Sequence, residues 1–265
     1  MNNKITLSLL GGALLSGAAF AGEVAAPFVE SAPSFEGDIY VGVHSDYMFR
    51  GSKLGSPMLD AGLDLTKSAY GLDFGAGAWG GSFESSSRAT VNELDLYAEV
   101  SKDFGFARFT TGFLHRNFGL SDLTGLGGLI TNGNSFSAAN DSNEVYFTLS
   151  KDFAYGIDAA YTYFWNVGSV DNDGYSVLSL SKACSIIEGL KVTNDTGYFV
   201  EKGQLSHNTT ALSYDYALTE TATITPYIAY TFELDYYDNQ AAPVNNFGFD
   251  NQDRFHGGVS LNVSF

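Results

Sequence analysis

The chain has 265 residues and a formal net charge of −17, from 30 acidic and 13 basic side chains. Such acidity argues against nucleic acid or anionic lipid as a partner and fits a hydrated surface or an interior that prefers cations. Cys184 is the single cysteine, which rules out an intrachain disulfide and a cysteine-based metal cluster. No stretch beyond residue 21 holds 18 consecutive apolar residues, so no helical membrane span is expected.

The chain opens MNNKITLSLLGGALLSGAAFA, with one basic residue (Lys4), an apolar run, and a small-residue end in which Ala19 and Ala21 have the spacing of a signal-peptidase site. This pattern predicts a secretory signal peptide over 1–21, cleaved after Ala21. Residues 22–36 are expected as a periplasmic N-terminal segment and 37–265 as a single β domain.

From residue 37 the sequence alternates with period two in twelve segments, each about the length of a tilted membrane strand. The first, near 37–50, carries Ile39, Val41, Val43, Tyr47 and Phe49 on one face and His44, Asp46 and Arg50 on the other. The next three are 57–66 (Leu59, Leu63), 71–83 (Phe74, Ala76) and 91–101 (Leu94, Leu96, Val100). Segments follow near 106–117 (Phe109, Phe113), 143–151 (Val145, Phe147, Leu149) and 156–166 (Ile157, Tyr161, Trp165). A weaker one, near 174–182, has Ser176, Leu178 and Leu180. The last four are 189–200 (Val192, Tyr198), 206–217 (Leu212, Tyr214), 222–235 (Ile228, Phe232) and 254–265 (Val259, Val263, Phe265).

Connections after even segments are short, such as KSAY (67–70) and KDFG (102–105). Those after odd segments are often longer and rich in Gly, Asn and Ser, above all 118–142. Short turns at one end and longer loops at the other are the wiring of an outer-membrane barrel. A dozen apolar faces with no helix-period segment to cover them would need a very large core in a soluble sandwich. The fold class predicted is therefore an all-β transmembrane antiparallel up-and-down barrel of 12 strands, with both chain ends on the periplasmic side. The chain ends SLNVSF. A terminal Phe closing an alternating strand resembles the targeting signature of bacterial outer-membrane proteins, which implies the barrel-assembly machinery as a partner through Phe265 and the cell outer membrane as the location.

In a barrel the apolar face meets lipid and the polar face lines the lumen. Val41, Val43, Tyr47 and Phe49 are thus expected outside and His44, Asp46 and Arg50 inside. The pore-lining candidates are Asp46, Arg50, Glu93, Asp95, Arg116, Glu144, Asp195, Glu233 and Arg254. Asp38, Asp60, Asp64, Asp73, Glu99, Asp158, Glu201, Asp215 and Asp235 add to the acids, and Arg108 and Lys191 to the bases. An interior of predominantly one sign concentrates counter-ions. The function read from this is passive diffusion of small hydrophilic solutes with a mild preference for cations. The alternative is a filled, non-conducting barrel acting through its loops, because charges that pair across the lumen leave no path. The loop 118–142, apolar at LTGLGGLI, is expected to fold inward or pack on a neighbouring surface.

No catalytic residues are identified. His115 is the one outward histidine, with Asn117 two residues on, but no serine partner and no G-x-S-x-G elbow accompany it. No P-loop and no H-E-x-x-H occur. His44 and His256, on strands that must pair to close the barrel, form the one histidine pair worth testing for a metal. No cofactor is expected.

The stretch SDYMFRGS (45–52), followed by MLDAGLDL (58–65), GLDFGAGAWGGSF (71–83) and ELDLYAEVSKDFG (93–105), resembles the TorF-type porin family of Gram-negative bacteria. The resemblance implies an outer-membrane barrel with a porin role. Within it Arg50 is expected inside near the extracellular mouth, with Gly51 beginning the first loop.

Overall fold

The computed structural model describes residues 35–85, 90–118, 142–167, 174–238 and 252–265. The expected leader over 1–21 and most of the 118–142 loop lie outside these residues. The strands are, in chain order, β1 (Glu36–His44), β2 (Tyr47–Phe49), β3 (Ser52–Ala69), β4 (Leu72–Ser85), β5 (Thr90–Asp103), β6 (Arg108–Phe118) and β7 (Ser142–Phe153). They continue with β8 (Ile157–Asn166), β9 (Tyr175–Ala183), β10 (Leu190–Phe199), β11 (Gln204–Tyr214), β12 (Tyr216–Ala217), β13 (Ala222–Glu233) and β14 (Arg254–Ser264). A single helical turn, α1 (Asp235–Asp238), follows β13.

Apart from the short β2 and β12, every strand is long enough to span the barrel and pairs antiparallel with its sequence neighbours. β1 pairs with β3 on one side and β14 on the other, Asp38 lying opposite both Asp64 and Ser264. The result is a closed antiparallel barrel of 12 spanning strands with no free edge, as the segment count predicts. Closure satisfies the ladder hydrogen bonds around the whole circumference, which lipid demands.

The hairpins at one end are tight. Tyr70 and Gly71 both have positive φ (55° and 73°) between the paired Ala69 and Leu72, the conformation whose twist matches two flanking strands. The longer connections leave from the other end, and the barrel's first and last strands begin (Glu36) and end (Ser264) at the short-turn end.

The outer face carries the apolar half of each alternation. Ile39, Val41 and Val43 on β1, Leu59 and Leu63 on β3, Leu96 on β5, Phe113 on β6 and Ile228 on β13 are all exposed. Aromatic side chains crowd the short-turn rim, with Tyr70, Phe104, Phe106, Phe153 and Tyr216 exposed there, and Trp165 and Phe255 lie toward the opposite rim. Such bands mark the two interfaces of a membrane-spanning barrel. A polar island on β10 and β11 interrupts the apolar face. Asn194 and Asn208, on β10 and β11, exchange amide hydrogen bonds of 3.0 and 3.1 Å, and their remaining N–H groups donate to Thr210 and Thr196. The island is thus internally satisfied, as polar groups away from water must be.

Two residues of the first segment depart from the expected facing. Tyr47 is buried inside the barrel against Trp79 and Phe83, with centroids at 5.9 and 4.9 Å. Phe49 packs on the same interior cluster. The cause is a break in the ladder at Ser45–Asp46, between β1 and β2. A strand keeps its alternation only while it stays extended; a bend resets which face the next residue meets.

Candidate functional site

The resetting bend also redirects the chain. After β1 ends at the long-loop rim, residues 45–52 fold into the barrel as a small hairpin, β2 returning onto the start of β3. Arg50 and Gly51 form its tip, both with positive φ (50° and 92°). The tip reaches the far wall. A Cβ built on Gly51 would lie 2.4 Å from the Cβ of His207 on β11, and His207 hydrogen-bonds the Arg50 backbone. Glycine is required here twice over, for the backbone conformation and for the close approach.

The Arg50 side chain meets Glu144 on β7, Nη2 lying 2.5 Å from Oε1. Its guanidinium carbon is 4.4 Å from the Tyr175 ring centroid, 5.1 Å from Phe49 and 5.5 Å from Phe164. Beside it Arg116 on β6 is buried among Glu93 (3.2 Å), Asp95 (3.2 Å) and Glu144 (3.5 Å), and its guanidinium carbon lies 4.7 Å from the Phe49 ring centroid. Two arginines and three carboxylates therefore lock the inward hairpin to β5, β6 and β7. Charged groups this far from water persist only when paired.

Apolar side chains complete the constriction. Trp79, fully buried, donates from Nε1 to Asp60 at 3.0 Å. Leu54, Met58, Phe83, Val91 and Leu114 are buried around it, and Tyr146, Phe164, Tyr175 and Phe199 form a run of ring contacts along β7 to β10. Tyr146, two residues from Glu144 on the polar face of its segment, was expected inside; the others were not among the expected lining residues. Their positions share the parity of the lumen-facing charges (Trp79 with Asp73, Phe164 with Asp158), so alternation alone marks them as inward.

The remaining candidates divide between interior and rim. Asp46 pairs with Lys53 at 2.6 Å and Arg254 at 3.8 Å near the long-loop end. Glu233 is buried in the same half and its backbone N–H donates to Asp253. Asp195 faces inward from β10 opposite Thr209. Glu201 and Asp235, expected inside, are instead exposed at the β10–β11 turn and on α1. The strands end before either residue, so the alternation used to place them no longer applies.

From the middle of the barrel to the short-turn end the interior is acidic: Asp38, Asp64, Asp73, Glu99, Asp195 and Asp215 face it, with Arg108 and Lys191 as bases. Arg108 is bound to Asp73 at 2.6 Å, while Asp64 and Glu99 accept hydrogen bonds from Tyr97 and Tyr146, both 2.6 Å. Thr225 donates to Asp215.

His44 lies between Asp60 (3.1 Å) and the Tyr227 hydroxyl (3.0 Å), and His256 faces Thr231 at 3.1 Å. Among the described residues no group of three or more His, Cys, Asp or Glu side chains is placed to hold a metal ion. On the outer face His115 Nδ1 is 2.9 Å from Asn143 Oδ1. Its register partners are Leu96 and Asn143, with Phe113 and Asn117 flanking it on β6, so the described outward neighbours include no serine.

No family model matches the chain, and no curated protein matches it in sequence. Among solved structures the barrel is similar to the KdgM porin, with a TM-score of 0.51 and 8% identity over 87% of this chain and 99% of that one. It is similar to the same porin in complex with disordered oligogalacturonate at a TM-score of 0.50, with 8% identity and the same coverage of both chains. The outer membrane phospholipase A from Escherichia coli aligns at 0.48, with 13% identity over 87% and 97%. At these identities the likeness is one of fold, the outer-membrane β-barrel.

Proposed function

We propose that the protein is an outer-membrane channel for small hydrophilic solutes, mildly selective for cations and narrowed by its own inward-folded segment 45–52. The observation that carries this reading is the interior itself. Between the short-turn end and the arginine–carboxylate cluster Asp64, Glu99, Asp195 and Asp215 face the interior, and acids outnumber bases there. Paired charges lining a narrow passage favour small polar solutes, and an excess of acids concentrates cations. The short-turn end is read as periplasmic. The KdgM likeness supports the barrel framework; an interior this acidic disfavours a polyanion such as the oligogalacturonate seen with that porin. Assembly through Phe265 and export by a cleaved leader belong to the same reading. So does the porin role implied by the resemblance of residues 45–105 to the TorF-type family.

Proteoliposome swelling tests the proposal. Vesicles holding the refolded barrel should swell in small sugars and in salts of small cations faster than protein-free vesicles. A second reading, a closed barrel acting through its loops, is favoured by the burial of Trp79, Glu93, Asp95 and Arg116 across the constriction. Equal swelling with and without the protein would establish that reading in place of the channel.

A further inference from the structure

The side chain of Arg50 sits in surroundings that have the form of a ligand site. Three aromatic rings, Phe49, Phe164 and Tyr175, lie within 5.5 Å of its guanidinium carbon, and one carboxylate, Glu144, meets its Nη2 at 2.5 Å. Aromatic faces with an adjacent carboxylate are how proteins recognise organic cations, through the ring quadrupole and a charge-assisted hydrogen bond. Two of the rings and the carboxylate belong to the barrel wall, Glu144 on β7, Phe164 on β8 and Tyr175 on β9, whereas Phe49 neighbours Arg50 on the hairpin itself. The cation comes from a hairpin with three pairing positions, attached to the opposite wall. The Arg50 side chain is 18% exposed, against 3% for Glu144. With Arg50 withdrawn, Glu93, Asp95 and Glu144 would face Arg116 alone, leaving the site net negative and open to a replacement cation.

We propose that this cage is a binding site for guanidinium-bearing organic cations, for which Arg50 is the resident stand-in, and that such a solute displaces Arg50 and releases the inward-folded segment. The displacement step rests on the channel reading above; the binding step does not. It makes the protein a pore whose substrate competes with its own plug. The tether gives Arg50 an effective concentration in the millimolar range or above, so a free cation must compete against it. Removing the arginine side chain removes the competitor.

The test is calorimetric titration of methylguanidinium into the refolded barrel, with folding verified by heat-modifiable migration. Arg50→Ala should bind at least tenfold more tightly than wild type, and Arg50→Gln, which keeps a shorter, uncharged polar side chain, should behave likewise if the alanine variant does not fold. Glucose should not bind, and Arg50→Ala/Glu144→Gln should lose the site. Affinity in Arg50→Ala no greater than in wild type, or undiminished in the double variant, would overturn the proposal. Planar-bilayer recording of the same samples separates the two layers of the argument. Binding with no current in either protein leaves the site and removes the channel. Current in Arg50→Ala without binding leaves the channel and removes the site.

Discussion

Replacing Arg116 with methionine probes the constriction where it is most tightly determined. Arg116 is buried, with Glu93 and Asp95 each at 3.2 Å and Glu144 at 3.5 Å. At an effective dielectric of about 20, each such pair is worth roughly 5 kcal/mol before the cost of desolvating its members. Much of that attraction is offset by the repulsion among three neighbouring carboxylates and by their removal from water. Methionine fills similar space but leaves Glu93 and Asp95 without their cation, while Glu144 keeps Arg50. Removing one partner of a buried ion pair costs about 3–5 kcal/mol, and this is the predicted loss. Urea unfolding of the barrel in thin lipid vesicles, followed by tryptophan emission, reads it directly, because Trp79 lies in the same buried interior. Neutralising the acids as well, in Glu93→Gln/Asp95→Asn/Arg116→Met, should restore most of the stability. A loss below about 1 kcal/mol in the single variant, or a triple variant as unstable as the single one, would refute the reasoning and show the cluster to be hydrated.

The facing of the strands is tested by Val43→Arg and Leu96→Arg. Both positions are outward and exposed, so each arginine should destabilise the barrel in vesicles by about 2–4 kcal/mol if it lies near the midplane; no effect at either would mean the faces are reversed. Asn208→Leu should cost about 1–3 kcal/mol in the same assay by stranding Asn194, whereas Asn194→Leu/Asn208→Leu should be nearly neutral. Orientation is read from Cys184 in the β9–β10 turn at the short-turn end. The N–H groups of Ile186 and Ile187 donate to its sulfur and hold the thiol below its ordinary pKa range, which raises the thiolate fraction at neutral pH. A bulky polymer-linked maleimide should label it at pH 7 after the outer membrane is permeabilised and not in intact cells; labelling of intact cells would invert the barrel.

The barrel was legible because each spanning strand carries its apolar residues at one parity. Ile39, Val41 and Val43 are enough to place β1, and the same logic places Leu96 and Phe113 on the outer face. That logic fails where the chain bends. Tyr47 and Phe49 continue the apolar parity on paper, yet the break at Ser45–Asp46 turns them inward. The charges of the constriction were legible singly, since Glu93, Asp95, Arg116 and Glu144 all fall on lumen-facing positions. Their assembly was not. Arg50 and Glu144 are 94 residues apart, and barrel closure together with the inward hairpin, rather than any local pattern, brings them together. The aromatic lining was legible in principle: Trp79 and Phe164 stand at the parity of the charges, where a large ring is a sign of a filled interior.

Single-channel recording in a planar bilayer, under a salt gradient, tests the central claim most directly. The refolded wild-type barrel should give discrete current steps with a cation-selective reversal potential, and Asp64→Asn/Asp195→Asn should move that potential toward zero. A silent bilayer from verified folded barrel, or an anion-selective potential, would contradict the account.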